Sequence, residues 1–500
     1  MKKILCSVLA LVMALALFTA CRPNIIEEQP TDFEVNIDID RNTTATLRIL
    51  VPTTDGGMEE GYINALIPGF NELFPNVKIE LDRRAISDER YMETISSAIA
   101  SGEAPDLFYT NTVYYYYLVA ENCIVSLEPY YTAEEQRYNE TGGQEGLNLE
   151  ADYYSEFFSM SEYDGNRYVV PRSMDSVVTY YNTQMLADAG INAETDERLQ
   201  STEENPFTWN DLVSLCNDVS DYLLTADGQQ KYPTGYALQA DFDWEAVFNA
   251  VMVSYGSQAF DENGNVAINS DETLAMANML RDLYEDDGNH RIVRSNTSGA
   301  SFANGRVAFH FSSSGPASMA LNEGIKNNFN ALPFPLIQDE SAGLTNPAIG
   351  CGFAGWGISS LCDETTRDIA WQFLKYMISY DGQQALINAG LATPSIRIDL
   401  AEGKTWSSGY NNINLDAWLQ WSQIQSFLAV LHHAGAFRHV RHLFRAAELH
   451  AQPRRSRFDG RKYAPLGGDV HRTMRRRPPG GNLLTWLPKR LRRVAAKLLP

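Results

Sequence analysis

The sequence predicts an α/β protein that folds as two or more lobes, each built on a mostly parallel sheet. Three observations lead to this class. The chain has 500 residues, which is far more than one hydrophobic core needs. Its 44% hydrophobic and 11% aromatic content is typical of a globular protein. Its first part alternates short apolar segments with amphipathic segments of helical period.

That alternation covers five consecutive elements. Strands are predicted at Thr46–Pro52, Val77–Leu81 and Leu107–Tyr109, because each is a short apolar or alternating run. Helices are predicted at Glu59–Phe74 and Glu89–Ser101, where apolar residues recur on one face. Strands that alternate with helices favour a parallel sheet, in which ligands bind at the carboxyl ends of the strands.

Residues 1–21 have the layout of a secretory signal peptide, in which Lys2 and Lys3 precede the apolar run Ile4–Ala20. The run is short for a membrane-spanning helix, which needs about 20 residues. Cys21 follows at the cleavage point and resembles the bacterial lipoprotein signal, in which this cysteine is lipidated. A plainly secreted protein and an uncleaved anchor are the alternatives. Residues 22–45 are polar and acidic, so they are predicted to be a solvated tether.

The cysteines do not form the pattern of a disulfide framework or of a metal site. Beyond the signal segment the chain has four of them, without close paired spacing: Cys123, Cys216, Cys351 and Cys362. Buried free thiols are expected, and one disulfide stays open for an exported protein. We also interpret Asp261–Asn265 as a tight turn rather than a calcium loop, because its spacing does not fit calcium ligands.

The net charge of −23 is the sum of two parts of the chain with opposite net charges. Residues 426–500 carry 17 Lys and Arg against 3 Asp and Glu, whereas residues 1–425 carry 23 basic and 60 acidic side chains. A body this acidic argues against nucleic-acid binding. The basic end is predicted to be foreign or out-of-frame sequence with little fixed structure beyond Gln452, and a tail for anionic surfaces is the alternative.

Six short segments carry a further pattern: Phe70–Ile79, Ile99–Asp106, Val170–Ile191, Pro206–Leu212, Phe302–Ala308 and Ala370–Met377. In content and order they resemble motifs of extracellular solute-binding proteins of family 1, to which maltose-binding proteins belong. These proteins are the substrate-capturing components of bacterial ABC importers. The resemblance covers about 330 residues and stops near Gln425.

The resemblance implies the class II periplasmic-binding-protein-like fold, with two α/β lobes and a hinge between them. Crossings between the lobes are expected near Met174–Ser176, near Gly350–Gly352 and near Pro394. Lobe 1 would then comprise residues 46–173 and 353–393. Lobe 2 would comprise residues 176–350 and 394–425.

The implied function is capture of a sugar or oligosaccharide between the lobes and its delivery to the permease subunits of an ABC transporter. The implied protein is a monomer, lipid-anchored through Cys21 on the outer face of the bacterial cell membrane. It has no catalytic residues, cofactor or metal. The alternatives are a binding protein for a non-sugar solute, a scaffold lipoprotein, and a secreted glycoside hydrolase that acts through two carboxylates.

A sugar has apolar C–H faces and polar hydroxyl edges, so its site needs flat aromatic rings and planar polar groups. Candidate ligand-binding residues follow predicted strands, lie at the hinge, or sit in segments that are expected to face the cleft: Asp55, Thr110, Asn111, Arg172, Asp175, Asp243, Trp244, Gly355 and Trp356. Trp244 is the predicted aromatic platform, and a core tryptophan is the alternative. The glycine-rich Gly352–Gly357 is expected to pass close to the ligand.

Overall fold

The computed structural model describes most of the chain between residues 30 and 419. The described ranges are 30–53, 57–84, 88–202, 204–225, 235–239, 245–258, 265–284, 292–293, 301–337, 348–391, 393–407, 410 and 412–419. The chain divides into two compact units, Met1–Phe444 and Arg445–Pro500. The predicted signal segment, most of the Asp261–Asn265 turn and the basic end from residue 426 lie outside the described residues.

The first sheet contains five strands in the order β2-β1-β3-β12-β6. Its strands are β1 (Ala45–Pro52), β2 (Val77–Arg84), β3 (Leu107–Asn111), β6 (Val170–Ser176) and β12 (Cys351–Ile358). β1 pairs in parallel with β2 and β3, whereas β12 pairs antiparallel with β3 and β6. The three strands predicted from the sequence are therefore confirmed, and two of them extend a few residues beyond their predicted ends.

Helices pack against this sheet and against each other. They are α1 (Met58–Leu73), α2 (Asp88–Ser101), α3 (Tyr115–Ala120), α4 (Glu128–Glu140), α5 (Leu149–Asp152) and α6 (Ser155–Ser159). A short hairpin, β4 (Glu162–Tyr163) and β5 (Asn166–Arg167), follows them. The predicted apolar face of α1 is confirmed, because Ile63, Leu66 and Phe70 are fully buried.

The second sheet has the order β11-β7-β10-β8-β9. Its strands are β7 (Val178–Asn182), β8 (Tyr236–Gln239), β9 (Ile292–Val293), β10 (Val307–Ser312) and β11 (Phe329–Pro333). The intervening helices are α7 (Thr183–Asp188), α8 (Trp209–Thr225), α9 (Glu245–Ser254), α10 (Asp271–Tyr284) and α11 (Pro316–Met319). Two α/β layers thus follow one another along the chain, as the sequence predicts.

The chain returns to the first sheet through β12 and then runs through α12 (Glu364–Ile378), α13 (Tyr380–Asn388) and α14 (Ile398–Glu402). Two 3₁₀ turns, Thr405–Ser407 and Leu415–Trp418, follow. Trp406 and Trp418 are buried in one cluster with Val178 and Tyr180 of the second sheet. The last described segment therefore packs on the second sheet, and α12 and α13 pack near β1 and α1.

The segment that the sequence predicted as a solvated tether is not solvated over its second half. Phe33, Val35, Ile37 and Ile39 are half-buried and pack against the core of the first lobe. The prediction was wrong there because it relied on the acidic residues and the lack of helical period, and did not use the alternation of apolar side chains. Among the described helices, none combines the length and the apolarity that crossing a bilayer requires.

Candidate functional site

The two sheets meet at the edges where their parallel strands end. In the first sheet, Pro52, Arg84 and Asn111 end parallel strands, and the antiparallel pairing places the start of β12 and the end of β6 at the same edge. In the second sheet, Gln239 and Ser312 end β8 and β10. Because only Val177 separates β6 from β7, the two edges adjoin. Ligands of α/β sheets bind at such edges.

The chain passes between the sheets through segments that are hydrogen-bonded to one another. The amide of Val177 donates to the carbonyl oxygen of Gly350 at 2.8 Å, and the amide of Met174 donates to that of Pro394 at 3.2 Å. A Cβ on Gly350 would lie 2.6 Å from the carbonyl oxygen of Ala246. The backbones approach so closely here that a side chain at residue 350 would force them apart.

Asn111 is the last residue of β3, and its half-buried side chain carries both a hydrogen-bond acceptor and a hydrogen-bond donor. Its Oδ1 accepts hydrogen bonds from the amides of Val113 at 3.0 Å and Tyr114 at 3.1 Å. Its Nδ2 has no hydrogen-bond partner among the described residues. The carbonyl half therefore shapes the turn after the strand, and the amide nitrogen is left to donate to a ligand.

Asp175 lies one residue before the end of β6, opposite Gly352. The carboxyl group is half-buried and has no hydrogen-bond partner among the described residues. Burial raises the pKa of Asp175 to about 6, while Arg172 lowers it and Glu59 raises it. The group is thus an acceptor at this edge that the described residues leave unused.

The positive charge of Arg172 is not available to a ligand, because Glu59 in the first turn of α1 pairs with this guanidinium. Arg172 Nη2 lies 2.5 Å from Glu59 Oε1, and Nε lies 3.1 Å from Oε2. The two residues are 8% and 3% exposed. Burial disfavours the guanidinium charge, but Glu59 outweighs this effect and raises the pKa of Arg172. The guanidinium also lies over the ring of Tyr62, with 4.8 Å to the centroid.

Gln383 of α13 is fully buried and connects β6 to the last crossing segment. Its Nε2 donates to the carbonyl oxygen of Arg172 at 2.9 Å. Its Oε1 accepts from Ser395 Oγ at 2.6 Å and from the amide of Ile396 at 3.3 Å. Sequence analysis missed both Glu59 and Gln383, because no motif marks a residue whose role is to hold another in place.

Asp175→Asn is expected to remove a pH dependence of stability. In the folded protein the pKa of Asp175 is about 6, against about 3.9 in an unfolded chain. The folded state therefore binds this proton more tightly, and the free energy of unfolding falls as the pH rises from about 4 to about 6, by at most about 3 kcal/mol from this group.

Urea unfolding of the apo protein at several pH values measures this slope. The asparagine variant should be less sensitive to pH over that range than the wild type. Glu135→Gln, which changes an exposed carboxylate on α4, is the control and should keep the wild-type slope. An Asp175→Asn variant with the wild-type slope would show that the carboxyl titrates as an ordinary one.

Three predicted site residues lie inside the first lobe. Thr110 is 0% exposed and pairs with Gly355 across the sheet. Trp356 is 1% exposed, and its ring lies 5.9 Å from that of Tyr109. A Cβ on Gly355 would lie 2.4 Å from the carbonyl oxygen of Val170, at the register shift between β12 and β6. Strand packing rather than a passing ligand accounts for this glycine, and neither Thr110 nor Trp356 has an exposed surface.

Asp55, Asp243, Trp244 and Cys21 lie outside the described residues. The first turn of α9, which follows Trp244 in the chain, lies at the junction of the sheets through Ala246. A serine run that sequence analysis missed, Ser312–Ser314, continues from β10 at the edge of the second sheet and is half-buried. A polar run directly after the largely apolar segment Val307–Phe311 was the available signal.

The described residues contain no cluster of three or more His, Cys, Asp or Glu that could hold a metal ion. The four described cysteines are free thiols, and three of them are buried. Burial raises the pKa of Cys123 to about 12. A thiol of such a high pKa is a poor nucleophile, because the thiolate is the reactive form.

Comparison with known families gives one match over most of the chain. The family described as bacterial extracellular solute-binding protein matches residues 65–411. An arabinooligosaccharide-binding protein of Halalkalibacterium halodurans is 29% identical over 126 residues. That alignment covers 25% of this chain and 24% of the relative, so it spans about a quarter of the relative's length.

Solved structures show the same fold. UgpB of Mycobacterium tuberculosis, in complex with glycerophosphocholine, has a TM-score of 0.59 at 17% identity and aligns over 79% of this chain and 91% of its own. Maltose-bound MalE3 of T. maritima has a TM-score of 0.56 at 18% identity, and the alignment covers 82% of this chain and 96% of MalE3. A substrate-binding protein of Listeria monocytogenes, in complex with cycloalternan, has a TM-score of 0.55 at 17% identity. The alignment covers 76% of this chain and 87% of that protein.

Proposed function

The chain belongs to the bacterial extracellular solute-binding protein family, and from this premise we propose that it captures a sugar or oligosaccharide between its two sheets for delivery to the permease of an ABC importer. The observation that carries the proposal is the pair of unused polar groups, Asn111 Nδ2 and the Asp175 carboxyl, at the edge where the two sheets adjoin. One donates and the other accepts, as a hydroxyl-rich ligand requires.

Charge also favours a ligand without a strong negative charge. Arg172 is neutralised by Glu59, which leaves Asp175 as the charged group that no described residue pairs with at this edge. Sugar ligands are further supported by relatives that bind maltose, cycloalternan and, by name, arabinooligosaccharides. We propose Trp244 as the aromatic platform and Asp55 and Asp243 as further polar contacts.

The capture step would be a hinge closure. The crossings at Val177, Gly350 and Pro394 are short, so the two lobes can rotate about them without breaking either sheet. A ligand that contacts both lobes would favour the closed form through its higher affinity for it. No reaction is needed for this role, and we propose that the protein is not an enzyme.

We further propose that the protein is anchored through lipidated Cys21 on the outer face of the cell membrane. A single acyl chain binds a membrane only marginally, whereas a multiply acylated cysteine anchors stably. The partners in this arrangement are the membrane, the permease subunits and the sugar, and the binding protein itself acts as a monomer.

A thermal-shift screen of the full chain tests the proposal. A sugar at 100 times its Kd should add about 2.7 kcal/mol to the free energy of unfolding. The panel should contain maltodextrins, arabinooligosaccharides, amino acids and glycerophosphocholine, with an assay for released reducing ends. Stabilisation only by a non-sugar would change the substrate class, and release of reducing sugar would indicate a glycoside hydrolase.

Asn111→Asp is expected to weaken binding of the sugar found in that screen by about tenfold. The aspartate keeps an acceptor oxygen for the amides of Val113 and Tyr114 but loses the Nδ2 donor. The melting temperature of the apo protein should therefore stay close to that of the wild type. Isothermal titration calorimetry measures the affinity, and an unchanged Kd would remove Asn111 from the proposed site.

A further inference from the structure

Residues Phe33–Asp40, with the sequence FEVNIDID, alternate strictly between apolar and polar side chains. In the structure the apolar residues are half-buried against the core of the first lobe, and the polar residues between them are exposed. This is the pattern of an extended chain with one face on a protein surface. The segment nevertheless belongs to no sheet among the described strands.

Side chains of α12 take the place of a neighbouring strand. Arg367 Nη2 donates to the carbonyl oxygen of Glu34 at 3.2 Å, and Gln372 Nε2 donates to that of Ile37 at 2.9 Å. Asp368 Oδ1 accepts from the amide of Asn36 at 3.4 Å. Backbone groups of three residues, Glu34, Asn36 and Ile37, are thus bonded to one helix, which fixes the register of the segment.

Phe33 is the anchor at the start of this segment. Its ring makes an edge contact with Tyr130, with 6.1 Å between centroids, and the guanidinium of Arg367 lies 4.0 Å above it. Tyr130 is held in turn by a stacked contact with Trp371 at 4.9 Å. The phenylalanine therefore lies on a rigid aromatic platform and gains a cation–π contact.

Contacts continue to the end of the segment. Arg137 of α4 pairs with Asp38, and Arg41 Nη2 donates to the carbonyl oxygen of Glu72 at 3.1 Å. Asn76 Nδ2 donates to the carbonyl oxygen of Asn42 at 3.0 Å. The docked segment therefore extends from Phe33 to Asn42, and we call residues 33–42 the strap.

We propose that the strap fixes the point at which the N-terminal segment leaves the first lobe and so shortens the anchor that holds the protein to the membrane. This rests on the proposed lipidation of Cys21. From Cys21 to Phe33 the chain can span at most about 40 Å, whereas an undocked chain from Cys21 to Ala45 could span about 80 Å. A shorter anchor confines the protein near the membrane and raises its effective concentration at a membrane partner.

Trypsin offers a direct test of docking, because the Arg22–Pro23 bond resists it and Arg41–Asn42 is the next Lys or Arg site after Cys21. Cleavage of a docked strap requires local opening, so its rate follows the open population. In membrane fractions of cells that express the full chain, Phe33→Ala and Arg367→Ala should each release the body, starting at Asn42, at least about tenfold faster than the wild type.

Glu34→Ala is the matched control, since it truncates the neighbouring exposed side chain and keeps the backbone carbonyl that Arg367 binds. It should be cut at the wild-type rate. Equal rates for Phe33→Ala, Arg367→Ala and the wild type would overturn the strap. Cys21→Ser should move the chain to the soluble fraction. If the wild type is itself soluble, lipidation is wrong, while the cleavage rates after Arg41 still report docking.

The effect on anchor length has a separate measurement. Neutron reflectometry of the lipidated chain on a supported bilayer gives the distance to which the protein layer extends. Phe33→Ala should extend that distance relative to both the wild type and Glu34→Ala. Equal distances in a variant that trypsin cuts rapidly would show that the strap docks without limiting the reach of the anchor.

Discussion

Arg172→Ala is expected to lower the free energy of unfolding by about 3–5 kcal/mol, because it removes the guanidinium from a buried ion pair and leaves the charge of Glu59 in the protein interior. Glu59 is 3% exposed, and Arg172 donates to both oxygens of its carboxylate. The same change removes the charge that lowers the pKa of Asp175. More of the Asp175 carboxyl is then protonated at neutral pH, where it is a weaker hydrogen-bond acceptor. Sugar affinity at neutral pH should therefore fall along with stability. Urea unfolding and calorimetry measure the two effects.

Arg83→Ala is the matched control for this prediction. Arg83 pairs with Glu60, the residue next to Glu59, at 2.8 Å, but the two side chains are 52% and 26% exposed. Such a pair contributes about 0–1 kcal/mol. The double variant Glu59→Leu/Arg172→Met should recover most of the lost stability, since apolar residues often replace a buried ion pair without cost. A single Arg172→Ala variant as stable as Arg83→Ala would contradict the buried pair.

Trp371→Ala should destabilise the protein by about 3–5 kcal/mol, the usual cost of removing a large buried ring. Trp371 is fully buried between Tyr130 and Tyr131 of α4, at centroid distances of 4.9 and 5.1 Å. Its Nε1 also donates to Glu134 Oε1 at 3.1 Å. The alanine variant loses the packing and leaves one oxygen of a fully buried carboxylate without this donor, although Lys375 still pairs with the other.

Two further variants, compared by urea unfolding, separate the contribution of ring packing from that of the hydrogen bond to Glu134. Trp371→Phe keeps most of the ring and loses the donor, so it should cost about 1–3 kcal/mol. Leu321→Ala, at an 81% exposed position, should change stability by less than about 0.5 kcal/mol. If Trp371→Ala behaved like Leu321→Ala, α12 would not be packed on α4 as described.

The elements of the first lobe were predictable because their signals are local. The spacing of Ile63, Leu66 and Phe70 predicts one buried helix face, and the alternation in Val77–Leu81 predicts a strand. The strap carried an equally local signal in the alternation of Phe33, Val35, Ile37 and Ile39. Its acidic residues led instead to the prediction of a tether, since exposed charges between the apolar positions resemble a solvated segment.

Some residues of the candidate site have a signal in the sequence. Asn111 follows from the rule that residues after a strand lie at the ligand edge of an α/β sheet, and Asp175 follows from its place at the predicted hinge. The hinge also selected Arg172, whose charge is already used by a residue 113 positions earlier in the chain. Trp356 was selected as an aromatic ring for the cleft, but it is one of several tryptophans that the fold buries.

The sequence by itself determined the α/β class, the order of the first five strands and helices, and the polar residue that follows the third strand, because these depend on neighbours within a few positions. Only the tertiary structure decided which polar groups remain unused. Glu59 neutralises Arg172, and Arg367 and Gln372 bind a segment more than 300 residues earlier in the chain. Burial and charge pairing depend on residues that meet only when the chain folds, and 60 acidic side chains in residues 1–425 give the sequence no means to choose among them.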